Sequence, residues 1–159
     1  MYFQLSKTKF ILPYLNYTIE IWYAGYQNIT ERIFVLQKKA IRAVNNLDFN
    51  GHTSASFLYM KTLKLEDLYK LKISVVMHYA VHGRGYDYLS RRLCIQSNNH
   101  NYDTRNSNLF VVPRYKLSKS QRSVLYFGVK LCNSLLSHYF HLSLFSFKNT
   151  IRDHFLSRY

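Results

Sequence analysis

The sequence is poor in acidic side chains. Eight Asp and Glu stand against 22 Lys and Arg among 159 residues, so the formal net charge is +14 with His neutral. A charge of this size excludes a neutral, generic domain and favours partners that carry negative charge. The abundance of Lys, Asn, Ile, Tyr and Phe is typical of AT-rich coding sequence, which accounts for part of the excess. Ten of the basic residues are Arg, however, and such a bias does not favour Arg, so the charge stays informative.

Cysteine is scarce, and long uncharged apolar runs are scarce as well. Two cysteines, Cys94 and Cys132, argue against a disulfide framework and against a zinc site built from cysteine pairs, and they favour a reducing, intracellular compartment over secretion. Pro13 and Glu20 interrupt the apolar residues near the start, unlike the core of a signal peptide. The longest stretch without Asp, Glu, Lys or Arg, 131–147, contains His, Asn and Ser. We therefore expect no membrane partner.

The apolar content predicts a folded, helical protein. Hydrophobic residues make up 48% and aromatic residues 17% of the chain, which excludes intrinsic disorder. Apolar residues recur mostly at helical spacing. The pattern predicts a helical N-terminal stretch interrupted at Pro13, a helix from Asn28 to about Asn45, a short helix ending at Met60, a helix from Leu65 to His82, and a final amphipathic helix over 145–159 that buries Phe147, Ile151 and Phe155.

The helix that begins at Asn28 has the clearest pattern. Asn28 can cap it while Glu31 reaches back, which is the spacing of a capping box. Apolar residues in steps of three and four predict one buried stripe: Ile29, Ile33, Leu36, Ala40, Val44 and Leu47. Four cations fall on the arc away from that stripe: Arg32, Lys38, Lys39 and Arg42. Because no acidic residue lies between Glu31 and Asp48 to pair with them, a binding role is favoured over a merely solvated face.

We predict a mainly α-helical fold, a small helical bundle whose C-terminal half has room for a short β-hairpin or strand pair. The predicted segments are a helical module over 1–83, a polar linker over 84–108 and a basic C-terminal segment over 109–159 with short strands and a terminal helix. Gly, Asn and Ser crowd the linker. Residues 109–112 before Pro113 indicate a short extended segment, and 118–136 fit a strand followed by a helix.

Basic residues concentrate in the C-terminal half. From Tyr88 to Arg152 there are ten basic residues and a single acidic one, Asp103. Within this interval, 113–122 interleaves four cations with hydroxyls, an amide and the ring of Tyr115. Such cations neutralise phosphates, and an aromatic ring can stack on a base. The segment therefore predicts a nucleic-acid-binding surface that positions the phosphate backbone and does not read bases.

Two side-chain pairs invite a metal-binding or catalytic interpretation. His78 and His82 have the i, i+4 spacing of a helical metal clamp, but the sequence suggests no third ligand nearby, so we interpret them as polar edge residues. Glu66 and Asp67 lie in a first helical turn, where the helix dipole favours acidic residues. The sequence contains no glycine-rich phosphate loop, no nucleophile elbow and no Cys-x-x-Cys pair. We predict no cofactor, no metal and no enzymatic activity for this chain on its own.

Several short strings then occur in order along the chain. They are Pro13 to Tyr17 with Trp22, Leu36 to Arg42, His52-Thr53, Leu63 to Leu65 with Asp67-Leu68, Tyr102 to Arg105, Pro113-Arg114, and Gly128 to Leu135. Together they resemble the thumb and post-thumb region downstream of the polymerase domain in LINE-type, jockey-like non-LTR retrotransposon reverse transcriptases. The chain departs from that family at Tyr23, Cys132 and Leu136, where the family usually has Gly, Trp and Pro.

The resemblance implies a region that grips nucleic acid while the chemistry lies elsewhere. Reverse transcription needs paired aspartates that hold two divalent ions, and no Asp-Asp pair occurs in this sequence. The implied function is that of a non-catalytic fragment of an RNA-directed DNA polymerase. Such a fragment would bind RNA or a template–primer RNA–DNA duplex without sequence preference, and in the intact parent it would adjoin an upstream palm domain.

Nine residues are predicted to contact phosphates: Lys38, Lys39, Arg42, Arg105, Arg114, Lys116, Lys119, Arg122 and Lys130. Two other interpretations stay open. A non-functional structural remnant of a decayed element predicts exposed hydrophobic surface and a broad melting transition. A basic membrane-surface or interaction module predicts aromatic, basic helices lying on anionic lipid.

Overall fold

The computed structural model describes residues 12–25, 27–85, 87–95, 109–135 and 137–159, and most of them are helical. The prediction of a mainly α-helical fold is confirmed. Residues 12–16 form a helical stretch, and the helices that follow it are α1 (Ile19–Trp22), α2 (Gln27–Asn45), α3 (Ser54–Tyr59), α4 (Leu65–Val81), α5 (Asp87–Arg92), α6 (Ser118–Gln121), α7 (Val124–Ser134), a 3-10 helix (Ser137–His141) and α8 (Leu144–Leu156).

The chain divides into two compact units. Unit 1 comprises residues 1–71 and 151–159, and unit 2 comprises residues 72–150. Helices α4 and α8 each contribute residues to both units. Unit 2 is thus continuous in sequence, and it is inserted between the two stretches that make up unit 1.

The core of unit 1 contains a cluster of four buried residues from α2, α3 and the position after α3: Ile41, Val44, Phe57 and Met60. Phe34 and Tyr159 pack against this cluster. Tyr159 also makes polar contacts with the segment that leads into α4. Its hydroxyl donates to Asp67 Oδ2 at 2.8 Å and accepts a hydrogen bond from the Lys64 N–H at 2.6 Å. Tyr159 therefore ties the last stretch of the sequence to the first part of unit 1.

The buried face of α2 is offset by one residue from the predicted stripe. Its buried residues are Thr30, Gln37, Ile41 and Val44, whereas Ile29 and Leu36, which were predicted to be buried, are 49% and 61% exposed. Neighbouring helix positions lie about 100° apart, so the face turned to the core is rotated by roughly a quarter of a turn. The prediction of the stripe as the core face is right for Val44, which is buried, and wrong for Ile29, Leu36 and Leu47, which are exposed.

The physical reason for the offset is Gln37. Its Nε2 donates to the Leu63 carbonyl at 2.9 Å, and its Oε1 accepts from the Leu65 N–H at 3.0 Å. A buried amide with both ends hydrogen-bonded carries no penalty for unmet polar groups, so Gln37 occupies the core position in place of Leu36.

Unit 2 is built around the second half of α4 and around α7. Gly128 on α7 is buried, and a Cβ at that position would lie 2.7 Å from Met77 Sδ and 3.3 Å from Ile73 Cγ2. The missing side chain therefore lets α7 approach α4 closely. The predicted burial of Phe147, Ile151 and Phe155 along the final helix is confirmed.

Two expectations for the C-terminal half are wrong. Residues 87–92, predicted to be irregular, form α5, with Leu89 buried and an ion pair of 2.6 Å between Arg91 and Asp87. The segment that begins at Ser118 is helical from its start and not extended. The linker over 84–108 and the module boundaries at 83 and 109 stay predictions, since residues 96–108 lie outside the described part of the chain.

The β structure in the described ranges is a single isolated antiparallel bridge between Ile95 and Phe110. Asn133 on α7 engages both backbone groups of Phe110. Its Oδ1 accepts from the Phe110 N–H at 3.0 Å, and its Nδ2 donates to the Phe110 carbonyl at 2.9 Å. Because a side chain satisfies these backbone groups, the predicted short strand is reduced to one bridge.

Candidate nucleic-acid interface

The two units differ in charge balance. Unit 2 contains 11 basic and two acidic residues, whereas unit 1 contains 11 basic and six acidic residues. Of the two acidic residues in unit 2, Asp103 lies outside the described residues, and Asp87 pairs with Arg91 at 2.6 Å. Unit 2 is therefore the unit with the stronger attraction for a polyanion.

The three predicted cations of α2 have different environments. The Lys38 ammonium lies 4.4 Å from the centroid of the Phe34 ring. Arg42 Nε donates to the Gly51 carbonyl at 3.0 Å and so holds the loop after α2. Both side chains are partly buried, while Lys39 is exposed. Lys38 and Arg42 thus have structural contacts within unit 1, and Lys39 is the exposed cation of the three.

The predicted cations of unit 2 that the structure describes are all exposed: Arg114, Lys116, Lys119, Arg122 and Lys130. Arg105 lies outside the described residues. Arg114 and Lys116 flank Tyr115 in the non-helical segment before α6. Lys119 lies on α6, Arg122 directly follows α6, and Lys130 lies on α7. Exposed guanidinium and ammonium groups of this kind can contact phosphates from solvent.

Two tyrosine rings contact each other in the segment that carries these cations. The centroids of Tyr115 and Tyr126 lie 6.1 Å apart with the ring planes tilted by 43°. The Lys130 ammonium lies 4.8 Å from the centroid of Tyr126. The ring contact thus brings the Arg114 to Lys116 segment next to the α7 face that carries Lys130.

Two hydrogen bonds set the backbone around the rings. Gln121 Nε2 donates to the Tyr115 carbonyl at 2.8 Å, which links α6 to the preceding segment. Ser123 caps α7, and its Oγ accepts from the Tyr126 N–H at 3.3 Å. Tyr126 was not among the residues predicted to matter. The available signal was the i, i+4 spacing of Tyr126 and Lys130, which suits a cation over an aromatic ring.

The His78 and His82 pair uses its ring nitrogens on backbone carbonyls. His78 Nε2 donates to the Leu142 carbonyl at 3.0 Å, and His82 Nδ1 donates to the His78 carbonyl at 2.8 Å. Among the described residues, no group of three or more His, Cys, Asp or Glu side chains is placed to hold a metal ion.

The two cysteines differ in accessibility. Cys94 is exposed and Cys132 is buried on α7. Burial raises the pKa of the Cys132 thiol to about 12, so this side chain stays a neutral, apolar group of the core at physiological pH. None of the helices in the described ranges has the length and apolar character needed to cross a bilayer.

Comparison with known proteins adds no relative. No protein-family model matches the sequence, and no curated protein or solved structure shows significant similarity to it.

Proposed function

We propose that the chain is a non-catalytic nucleic-acid-binding module that holds RNA or an RNA–DNA duplex by its phosphates. One observation carries the proposal: in unit 2, the segment 114–130 that holds the Tyr115 and Tyr126 ring pair exposes five cations, and the described carboxylate of that unit already pairs with Arg91. The group is defined as the basic cluster: Arg114, Lys116, Lys119, Arg122 and Lys130.

The chemistry of the basic cluster suits phosphate contacts. Arginine can donate two parallel hydrogen bonds to one phosphate, and lysine acts as a mobile point charge. Neutralising phosphates releases condensed counterions, so affinity depends steeply on salt and little on base sequence. The side chains therefore position a backbone and do not select bases.

The resemblance to LINE-type reverse transcriptases supports the same assignment. Under it, RNA-directed DNA synthesis belongs to an upstream palm domain, and the region represented by this chain contributes grip on the template–primer duplex. The absence of any Asp-Asp pair from the sequence agrees with a non-catalytic role.

The test is a salt titration of binding. The whole chain is titrated into a fluorescein-labelled RNA–DNA hybrid at salt concentrations from about 50 to 200 mM, with anisotropy as the readout. If five or six phosphates are neutralised, log affinity falls against log salt with a slope of about −3.5 to −5.5. A second duplex of unrelated sequence should bind with the same affinity.

Two triple variants of equal charge locate the surface. Replacing Arg114, Lys116 and Lys119 with Ala should flatten the slope by about 2 to 3, whereas replacing Lys61, Arg84 and Lys148 with Ala should change it by less than about 1. All six side chains are exposed, so circular dichroism should show unchanged helical content for both variants. A flat salt response of the parent chain, or equal effects of the two variants, contradicts the proposal.

A further inference from the structure

Helix α2 has a second apolar face, on the side next to its buried one. We call it the α2 seam: Ile29, Ile33, Leu36, Ala40 and Ala43. Ile29 and Leu36 are 49% and 61% exposed, Ala43 is exposed, and the other two residues are partly buried. A helix that buries one face in its own core and exposes a second apolar face has an unfilled contact surface.

The spacing of the α2 seam is that of a helix–helix contact. Its members are separated by steps of four, three, four and three residues, a mean period of 3.5 that keeps an apolar row facing a single partner helix. From Ile29 to Ala43 the row is about 21 Å long at 1.5 Å per residue. The small side chains of Ala40 and Ala43 leave room for a partner backbone at one end.

The charges beside the α2 seam indicate the kind of partner. Arg32 and Lys39 lie seven residues apart, each directly before a seam residue, and both are exposed. Neither forms an ion pair within the described part of the chain. On the other edge, Thr30 and Gln37 are buried in unit 1, so a partner reaches the seam from the cationic side.

A second copy of the chain does not fit this surface. Antiparallel pairing of two α2 seams would place Arg32 and Lys39 opposite the same cations, and parallel pairing would need the edge that Thr30 and Gln37 keep buried. The formal charge of +14 adds long-range repulsion between copies.

We propose that the α2 seam docks an amphipathic helix of a partner protein that carries carboxylates along one edge of its apolar face. The partner's apolar residues contact Ile29, Ile33 and Leu36, and its carboxylates pair with Arg32 and Lys39. This surface belongs to unit 1, whereas the basic cluster belongs to unit 2. The two proposals therefore stand or fall separately.

The probe is a fluorescein-labelled peptide of three heptads with Leu at both core positions and Glu at both flanking positions. Its Glu rows repel one another, so the peptide does not pair with itself. Titrated with the whole chain, this peptide should bind at least about tenfold more tightly than a scrambled peptide of the same composition, since only the ordered peptide presents an apolar row. Equal binding of the two peptides overturns the proposal, because it reduces the effect to net charge.

Variants of the chain supply the sharper comparison. Ile29→Gln with Leu36→Gln should weaken peptide binding by about tenfold or more, whereas Leu58→Gln, a change at a side chain on α3 that is 43% exposed, should not. Arg32→Glu with Lys39→Glu should lose the Glu-flanked peptide and gain a Lys-flanked one. Because every substituted side chain is exposed or at the surface, circular dichroism and urea midpoints should match those of the parent chain.

Two other occupants are tested alongside. Sedimentation should show a monomer, and a dimer that dissociates on Ile29→Gln with Leu36→Gln overturns the choice of partner. Vesicles of phosphatidylglycerol should bind the parent and this double variant equally. Vesicle binding lost in the double variant, together with no peptide binding by the parent, assigns the α2 seam to lipid and refutes the proposal.

Discussion

Gln37 on α2 caps the start of α4 from 28 residues away. Leu65 is the first residue of α4, and the Gln37 Oε1 accepts its N–H at 3.0 Å, while the Gln37 Nε2 donates to the Leu63 carbonyl at 2.9 Å. The first N–H groups of a helix have no partner inside the helix, so this amide supplies one. The buried position of Gln37, with 3% exposure, makes the contact a structural element of unit 1.

Replacing Gln37 with Leu should lower the free energy of unfolding by about 2 kcal/mol, because two buried backbone groups lose their partners. The measurement is urea unfolding followed by circular dichroism. Lys39→Leu, an exposed change on the same helix, is the control and should stay within about 0.5 kcal/mol of the parent. A Gln37→Leu chain as stable as the parent would show that these hydrogen bonds contribute nothing net.

Removal of the Tyr159 hydroxyl should lower the free energy of unfolding by less than the Gln37 substitution does. Burial is the main factor that raises the pKa of Tyr159 above its usual value, so the hydroxyl stays protonated and keeps donating to Asp67. Tyr159→Phe removes both hydrogen bonds but retains the ring beside Phe57 and Lys64, so it should cost about 1 kcal/mol. Tyr14→Phe, at a side chain that is 83% exposed, serves as the reference and should change nothing. Equal urea midpoints for the two variants would contradict this role of Tyr159.

Gly128→Ala should destabilise the chain although Ala is the better helix former. The added methyl group would lie 2.7 Å from Met77 Sδ, and Met77 is fully buried. Overpacking of this kind costs about 1–3 kcal/mol, which outweighs the gain of up to about 1 kcal/mol in helix propensity.

A double-mutant cycle tests the cause of that destabilisation. In a Met77→Ala background the space opposite Gly128 is open, so Gly128→Ala should become neutral or stabilising. The readout is again the free energy of unfolding in urea. Identical effects of Gly128→Ala in the two backgrounds would mean that Met77 does not set the close approach of α7 and α4.

The burial of His78 should make the folded chain less stable in mild acid. Burial lowers the pKa of His78 below its ordinary value of 6.5, and the positive charges of His82 and Arg84 add to the effect, while the hydrogen bond to Leu142 opposes it. Above 6.5 the ring is neutral in both states, and the folded state is fully favoured. As the pH falls through 6.5, the unfolded chain takes up the proton more readily, so stability decreases until the folded state is protonated too.

The measurement compares urea midpoints at pH values of about 7.5 and 5.5. His78→Gln should reduce the difference between the two midpoints, whereas His52→Gln, at an exposed position, should leave it unchanged. Part of the difference should persist in both variants, because burial also lowers the pKa of His154. A His78→Gln chain with the parent's full pH dependence would refute the assignment.

Local pattern was enough to predict the helical class and several elements. The steps between Phe147, Ile151 and Phe155 predict a helix with one buried side, and α8 buries all three residues. Such predictions succeed because the period of the apolar residues and the buried side coincide.

The orientation of α2 was not predictable in the same way. The apolar residues of α2 do share one face of the helix, but the face that packs into the core is the one that contains Gln37. Gln37 can be buried because Leu63 and Leu65 provide hydrogen-bond partners for its amide. A contact between positions so far apart in sequence produces no pattern in the local sequence from which it could be predicted. Because polar residues are usually exposed, the sequence pattern predicts exposure for a polar residue even when it lies at the centre of a buried face.

The candidate site was predictable in composition but not in arrangement. The exposed cations of the basic cluster follow from the scarcity of acidic residues. The role of Tyr126 depends on a ring contact with Tyr115 across the turn at Ser123, and that contact appears only once α6 and α7 are formed.

The insertion of unit 2 into the sequence of unit 1 sets an order for synthesis on the ribosome. Residues 72–150 leave the ribosome before Ile151 and Phe155, which are fully buried, and before Tyr159, which packs against the unit 1 core. The sequence of unit 2 is therefore complete in the growing chain while unit 1 still lacks residues 151–159. A premature stop codon after position 150 would consequently remove part of unit 1 and leave the sequence of unit 2 intact.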